Sequence, residues 1–213
     1  MRIVSLVPSL TLTLFDLGLD ATSIVGRTPW CIHPAEQVSD VPVVGGTKTP
    51  TLSKIKGAQP DLVVMDRDEN PKSVHDWCVA NGLPTFVCDV RHPRDVPLML
   101  RELGQAVNRS EAAEVHARAI EAMLRRAPDT NGRTALPLIW HRPLMAANGT
   151  TYAGNMLACL GFNVPNIEPD GTGYPEVSTE LILPHGVTDL FLSSDPHEFT
   201  DEESRSLSEA FGN

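Results

Sequence analysis

The chain has no apolar run approaching the roughly 18 residues that a membrane span needs, which excludes an inserted protein. Basic residues are in the minority. Seventeen Lys and Arg face 27 Asp and Glu, for a net charge of −10. Such a surface repels a phosphate backbone and excludes broad nucleic-acid binding. Cysteine is scarce: Cys31, Cys78, Cys88 and Cys159 are the 4 present, with no two at C-x-x-C spacing. That leaves no redox or metal pair and no disulfide scaffold. Cys78, Cys88 and Cys159 read as small buried hydrophobes, whereas Cys31, in Trp30-Cys31-Ile32-His33-Pro34, stays open. Signatures of catalysis are missing too. There is no nucleophile elbow, no P-loop and no H-E-x-x-H, and Gly171-Thr172-Gly173 runs into Tyr174-Pro175, not into a dinucleotide-binding helix. A Cys31–His33 nucleophile pair lacks a third group to orient it, so no enzyme is expected. The N-terminus has no basic stretch, apolar core and cleavage site. Arg2 leads at once into Ile3-Val4-Ser5-Leu6-Val7. This reads as a cytoplasmic chain, or a periplasmic or extracytoplasmic one from which a leader has been removed.

What is present is an apolar fraction of 41%, enough for a packed core, arranged in a strand–helix alternation. Strands are expected at residues 3–7, 23–26, 41–44, 61–65, 85–88, 135–140 and 187–193. Helices are expected from a Ser9 cap to Leu17, and at 51–56, 71–81, 95–106, 110–127, 152–160, 179–183 and 202–211. Gly18, Gly82 and Gly161 stand where helices should stop. The longest helical pattern, 110–127, opens with Asn108-Arg109-Ser110-Glu111 and closes with Arg125-Arg126, matching the helix dipole. The best break follows it, at 127–133. Alternation of this kind implies parallel sheets covered by helices. The expected architecture is α/β: two Rossmann-like lobes (1–108 and 128–213) with parallel sheets, joined by one backbone helix (109–127).

Four stretches carry a family resemblance. They are Arg2-Ile3-Val4-Ser5-Leu6-Val7-Pro8-Ser9; Val43-Val44-Gly45-Gly46-Thr47-Lys48 with Ala58-Gln59-Pro60-Asp61-Leu62-Val63-Val64; the long helix; and Leu138-Ile139-Trp140-His141-Arg142-Pro143 with Tyr174-Pro175-Glu176-Val177-Ser178-Thr179-Glu180. In these the sequence resembles the helical-backbone substrate-binding proteins of ABC importers, the receptors for cobalamin, haem and ferric siderophores, and is nearest to the cobalamin-binding branch. The resemblance implies a receptor that clamps a metal chelate between two lobes and hands it to a permease. A corrinoid is the favoured ligand; siderophore or haem come next. The alternative is a cytosolic corrinoid, haem, siderophore or metal binding protein on the same fold with no permease partner. Three departures stand out. Leu12 replaces a Glu in the first helix. Of the Glu pair with which the family docks its permease, Glu180 matches on the second lobe, but Ser53 occupies the first-lobe position. The family pattern also continues with a strand and a helix beyond residue 213, so the second lobe is expected to be incomplete.

Ligands of open α/β sheets lie outside the carboxyl ends of the strands. That rule collects Pro8 and Ser9, Trp30 and His33, Thr47 and Lys48, and Asp66, Glu69 and Asn70. From the second half it adds Trp140, His141, Arg142, Tyr152 and Tyr174. Trp30, Trp140 and Tyr174 can offer flat apolar surface to a macrocycle, although Trp140, ending a strand, suits a core equally. Asp66, Glu69 and Asn70 can bind ligand amides or a cation through oxygen, and Lys48 and Arg142 can meet a carboxylate or phosphate. Four histidines, His33, His92, His141 and His197, fall in these loops. Neutral imidazole binds Co, Fe and Zn, and His33 and His141 are the candidate axial ligands; otherwise they are solvated loop residues. No catalytic cofactor is expected.

Overall fold

The computed structural model describes residues 1–126, 130–168, 171, 173–194 and 196–211. Residues 127–129 of the expected break at 127–133, with the expected helix end at 127, and the loop positions Thr172 and Asp195 lie outside them. The chain divides into two compact units, Met1–Asp89 with Pro97–Ala119, and Val90–Val96 with Ile120–Asn213.

The first unit holds β1 (Ile3–Ser5), β2 (Ile24–Gly26), β3 (Leu62–Asp66) and β4 (Thr85–Cys88), in the order β2-β1-β3-β4 and parallel throughout. Its connections are α1 (Pro8–Asp16), α2 (Ala35–Val38), α3 (Leu52–Gly57) and α4 (Lys72–Ala80). Successive residues of a strand point to opposite faces. Leu62, Val63, Val64 and Met65 are all buried, so both faces of β3 are covered. Each such side chain contributes about 1.5–3 kcal/mol. Val4, Leu6, Val44, Ile55, Val63, Met65, Val74 and Cys78 form the core, with Trp77 packed against it.

Two expectations change here. The helix α1 starts at Pro8, with Val7 as an uncapped N-cap, not after a Ser9 cap. A proline in the first turn has no N–H to leave unpaired, and the Thr11 hydroxyl instead donates to the Val7 carbonyl at 2.8 Å. The expected strand at 41–44 is reduced to an isolated bridge, Arg27 to Val43. Pro42 cannot donate to a ladder, so the pairing cannot propagate.

After α5 (Val96–Ala106), α6 runs from Ser110 to Leu124, and the two units divide within it. The second unit contains β5 (Ala135–Trp140), β6 (Met145–Ala146), β7 (Asp189–Leu192), α7 (Tyr152–Cys159), α8 (Thr179–Ile182) and α9 (Asp201–Phe211). Its sheet has the order β6-β5-β7. Strands β5 and β7 are parallel, but β6 is antiparallel to β5. The second sheet is therefore mixed and not wholly parallel. Only residues 141–144 separate β5 from β6, and so short a link can make a hairpin but not a parallel crossover. Leu136, Leu138, Ala146, Ile167, Val177, Ile182 and Leu207 form its core. Asn148 binds the segment before α8 to the loop before α7: its Nδ2 donates to the Ile167 carbonyl at 2.7 Å, and its Oδ1 accepts from the Ile167 N–H at 3.0 Å.

Candidate functional site

In the first unit the loops beyond the strands are tied to one another by a buried amide. Asn70 Nδ2 donates to the carbonyls of Leu6 (3.2 Å) and Thr47 (2.9 Å), and its Oδ1 accepts from the Asp66 N–H (2.8 Å). Asp66 Oδ1 in turn accepts from the N–H groups of Asp68 and Glu69. The polar run 66–70 thus organises itself, with Asn70 turned inward and Glu69 exposed. Lys48 Nζ donates to the Asp68 carbonyl at 2.6 Å. A cavity of about 550 Å³ is lined by Met65, Asp66, Arg67, Asn70, Pro71, Lys72, His75 and Val87. Pro8, Ser9 and His33 are exposed, and Trp30 is 66% exposed, an unusual state for so large an apolar ring. Cys31, by contrast, is buried, with its sulfur 3.1 Å from the hydroxyls of both Thr11 and Thr28.

The second unit brings together residues far apart in the sequence. At the carboxyl end of β5 stands Trp140, exposed, its Nε1–H donating to the Arg142 carbonyl at 2.9 Å. Next to it His141 meets His197, from the loop after β7, and Glu203, from the first turn of α9. His141 Nδ1 is 2.7 Å from Glu203 Oε1, and His197 Nε2 is 3.2 Å from Glu203 Oε2. One donor atom from each of the three lies within 4.8 Å of the others. The rings pack as a group: the His197 centroid is 5.5 Å from Trp140, 6.1 Å from His141 and 4.8 Å from Phe199. A cavity of about 440 Å³ opens beside them, lined by Trp140, His141, Arg142, His197, Thr200, Glu202, Glu203 and Ser206. Tyr152 and Tyr174 are exposed in the same unit.

Glu203 is fixed by a capping box. Its N–H donates to Thr200 Oγ1 at 3.2 Å, and its Oε2 accepts from the Thr200 N–H at 2.9 Å. The Thr200 N–H above all, with His197 adding to it, holds the Glu203 carboxyl down at about 2 against the opposing effect of burial. Among the described residues, two buried side-chain atoms have no hydrogen-bond partner, His141 Nδ1 and Ser193 Oγ. They sit just past β5 and β7, at the end of the sheet where a ligand is expected.

Of the four loop histidines, then, His141 and His197 converge. His33 belongs to the other unit. His92 caps a short turn, its Nδ1 accepting from the Arg94 N–H at 3.0 Å. The sequence reading missed Glu203. Its one local signal, Thr200-x-x-Glu203 ahead of an apolar helix face, announces a helix start and not a site. The proposed docking position Glu180 is exposed at the start of α8, its carboxyl lowered chiefly by the Ser178 hydroxyl. Ser53 is exposed in the first turn of α3.

The chain is 22% identical over 210 residues to the vitamin B12-binding protein of Pectobacterium carotovorum subsp. carotovorum (strain PC1), an alignment covering 95% of this chain and 75% of that protein. Its fold is shared with solved structures. The periplasmic vitamin B12 binding protein BtuF of Vibrio cholerae superposes with a TM-score of 0.79 at 17% identity, over 98% of this chain and 82% of that one. The periplasmic heme binding protein HutB of Vibrio cholerae gives a TM-score of 0.81 at 15% identity, over 100% and 83%. No helix among the described residues is long and apolar enough to cross a membrane. The family model described as periplasmic binding protein matches residues 3–204, through both units. The chain therefore belongs to the periplasmic binding protein family, a family of binding proteins and not of enzymes.

Proposed function

We propose that this protein is the substrate-binding component of an ABC importer for a metal chelate, with a corrinoid as the favoured ligand. The observation that carries the reading is the continuous family match over residues 3–204, joined to a relative named for vitamin B12 along 95% of the chain. The site chemistry supports it. Aromatics make up only 5% of the sequence, yet Trp30, Trp140, Tyr152 and Tyr174 are all exposed. Flat rings held in water have a use when a broad, partly apolar ligand covers them. In this reading the loops after the parallel strands of each unit supply the contacts, α6 is the connecting helix, and His33 and His141 are the candidate axial ligands. Glu180 faces the permease.

The test is a titration with cyanocobalamin, aquocobalamin and haemin, followed by calorimetry and visible absorbance. Binding of a cobalamin at micromolar affinity or tighter supports the corrinoid reading. A spectral change with aquocobalamin alone adds an axial imidazole, and its loss in His33→Ala or His141→Ala assigns it. Binding of haemin only replaces the corrinoid with haem, and binding of none removes both.

Ser53 favours a second reading, a chelate-binding protein without a permease, because half of the expected acidic docking pair is absent. The two readings separate in a chelate-uptake assay in cells lacking this chain. Loss of uptake, restored by the parent but not by Glu180→Arg, supports the importer.

A further inference from the structure

We propose that His141, His197 and Glu203 bind a divalent transition-metal ion of the zinc class, within the second unit. The site shares His141 and Trp140 with the chelate reading but does not rest on it, since all three donors belong to one unit and the ligand is a bare ion.

The donor set selects the metal. Two imidazoles and one carboxylate suit Zn, Co, Ni or Fe, whereas Ca and Mg call for sets built from oxygen. Geometry is close to what an ion requires. Metal–ligand bonds of about 2.0–2.1 Å at tetrahedral angles put donor atoms about 3.3 Å apart. His141 Nδ1 lies 2.7 Å from Oε1 and His197 Nε2 3.2 Å from Oε2 of the one Glu203 carboxylate, and one donor atom from each residue lies within 4.8 Å of the others.

An ion-pair network is the competing explanation, and one contact argues against it. His141 Nδ1 lies 2.7 Å from Glu203 Oε1 but has no hydrogen-bond partner. A simple imidazolium–carboxylate pair would align its N–H with the oxygen. Two donor atoms that converge, one of them a buried nitrogen without a partner, are satisfied by a cation placed between them.

The surroundings also hold the donors in place. Side-chain exposure is only 17% for His141, 26% for His197 and 20% for Glu203. The Thr200 N–H fixes one carboxylate oxygen, and Trp140 and Phe199 pack against the His197 ring. Outer contacts of this kind restrict ligand motion and strengthen metal sites. Bound metal would tie α9 to the loops after β5 and β7. With three protein donors, a position remains for water or an incoming oxygen donor, at a cavity that Arg142 also lines.

The experiment is a titration of the chelator-treated protein with Co²⁺, read by visible absorption, then competition with Zn²⁺ and calorimetry. Expected are one equivalent bound, d–d bands without a thiolate charge-transfer band, and displacement by Zn²⁺. His141→Gln and His197→Gln should each weaken binding at least tenfold, while His75→Gln should not. Zn²⁺ should raise the Tm of the parent but not of Glu203→Gln. X-ray absorption on the parent reads the imidazoles directly, without relying on any variant folding. The proposal is overturned by no saturable binding at about 0.1 mM ion, by a thiolate band, by a first shell without imidazole, or by undiminished affinity in both histidine variants.

Discussion

Replacing Asn70 with Ala tests how the first unit holds its ligand-side loops. The Asn70 amide makes three hydrogen bonds, to the carbonyls of Leu6 and Thr47 and from the N–H of Asp66, and the residue is 6% exposed. A buried polar group left without its partner costs about 1–3 kcal/mol. The Leu6 contact, at 3.2 Å, is the weakest of the three. Some relaxation at that end brings the expected loss to about 3 kcal/mol. The assay is urea unfolding by tryptophan fluorescence in a Trp30→Phe, Trp140→Phe background. There only Trp77 remains, packed on the core of the first unit. The midpoint should fall with an unchanged m-value. Asn70→Asp sharpens the test. It keeps an acceptor for the Asp66 N–H but points a carboxylate at two carbonyl oxygens, which raises the folded-state pKa of the new carboxyl. Its deficit should be largest at neutral pH and should shrink as pH falls and the carboxyl regains a proton to donate. A loss below about 1 kcal/mol for Asn70→Ala, within the range of an ordinary surface substitution or a single exposed hydrogen bond, would show that backbone geometry alone holds these loops.

Three further outcomes are expected. Glu114 lies between Arg101 (2.6 Å) and Arg118 (2.7 Å), whose hydrogen bonds, Arg101 first, lower its carboxyl to about 2. A depressed folded-state pKa gives stability that is present above the unfolded value, near 4.5, and is lost as pH falls from there towards about 2. Thermal melts should therefore show a smaller drop across that window for Glu114→Gln than for the parent. Gly154→Ala would place a Cβ 2.1 Å from the Asn148 carbonyl oxygen, so α7 must shift and a loss of about 2–4 kcal/mol is expected in chemical denaturation. Trp140→Ala should weaken corrinoid binding by roughly tenfold, about 1.4 kcal/mol, with some fall in Tm because the ring, 38% exposed, also packs on His197; Trp140→Phe should recover most of both.

How much of this was legible in the sequence depends on the range of the interaction that decides each feature. Continuous apolar runs such as Leu62-Val63-Val64-Met65 mark strands covered on both faces, and β3 stands where that pattern puts it. Pro42 is just as local a signal, and giving it more weight would have removed the strand at 41–44. The two-residue β6 has no pattern of its own. It exists because the short link after Trp140 folds back and lets Ala146 pair with Leu138. Glu203 shows the division inside one side chain. Its Oε2 accepts the Thr200 N–H, the local capping role that Thr200-x-x-Glu203 spells out. Its Oε1 lies against His141, which reaches it only because β5 and β7 run parallel and deliver their following loops to the same end of the sheet. The first role is written in four consecutive residues, whereas the second depends on sheet register, which no local spacing encodes. A capping carboxylate already fixed by its own turn costs little further ordering when a distant imidazole or an ion approaches its second oxygen. That is a physical reason for cap and candidate site to share one residue, and a reason to check the unused oxygen of every capping Glu that begins a helix just beyond a parallel strand.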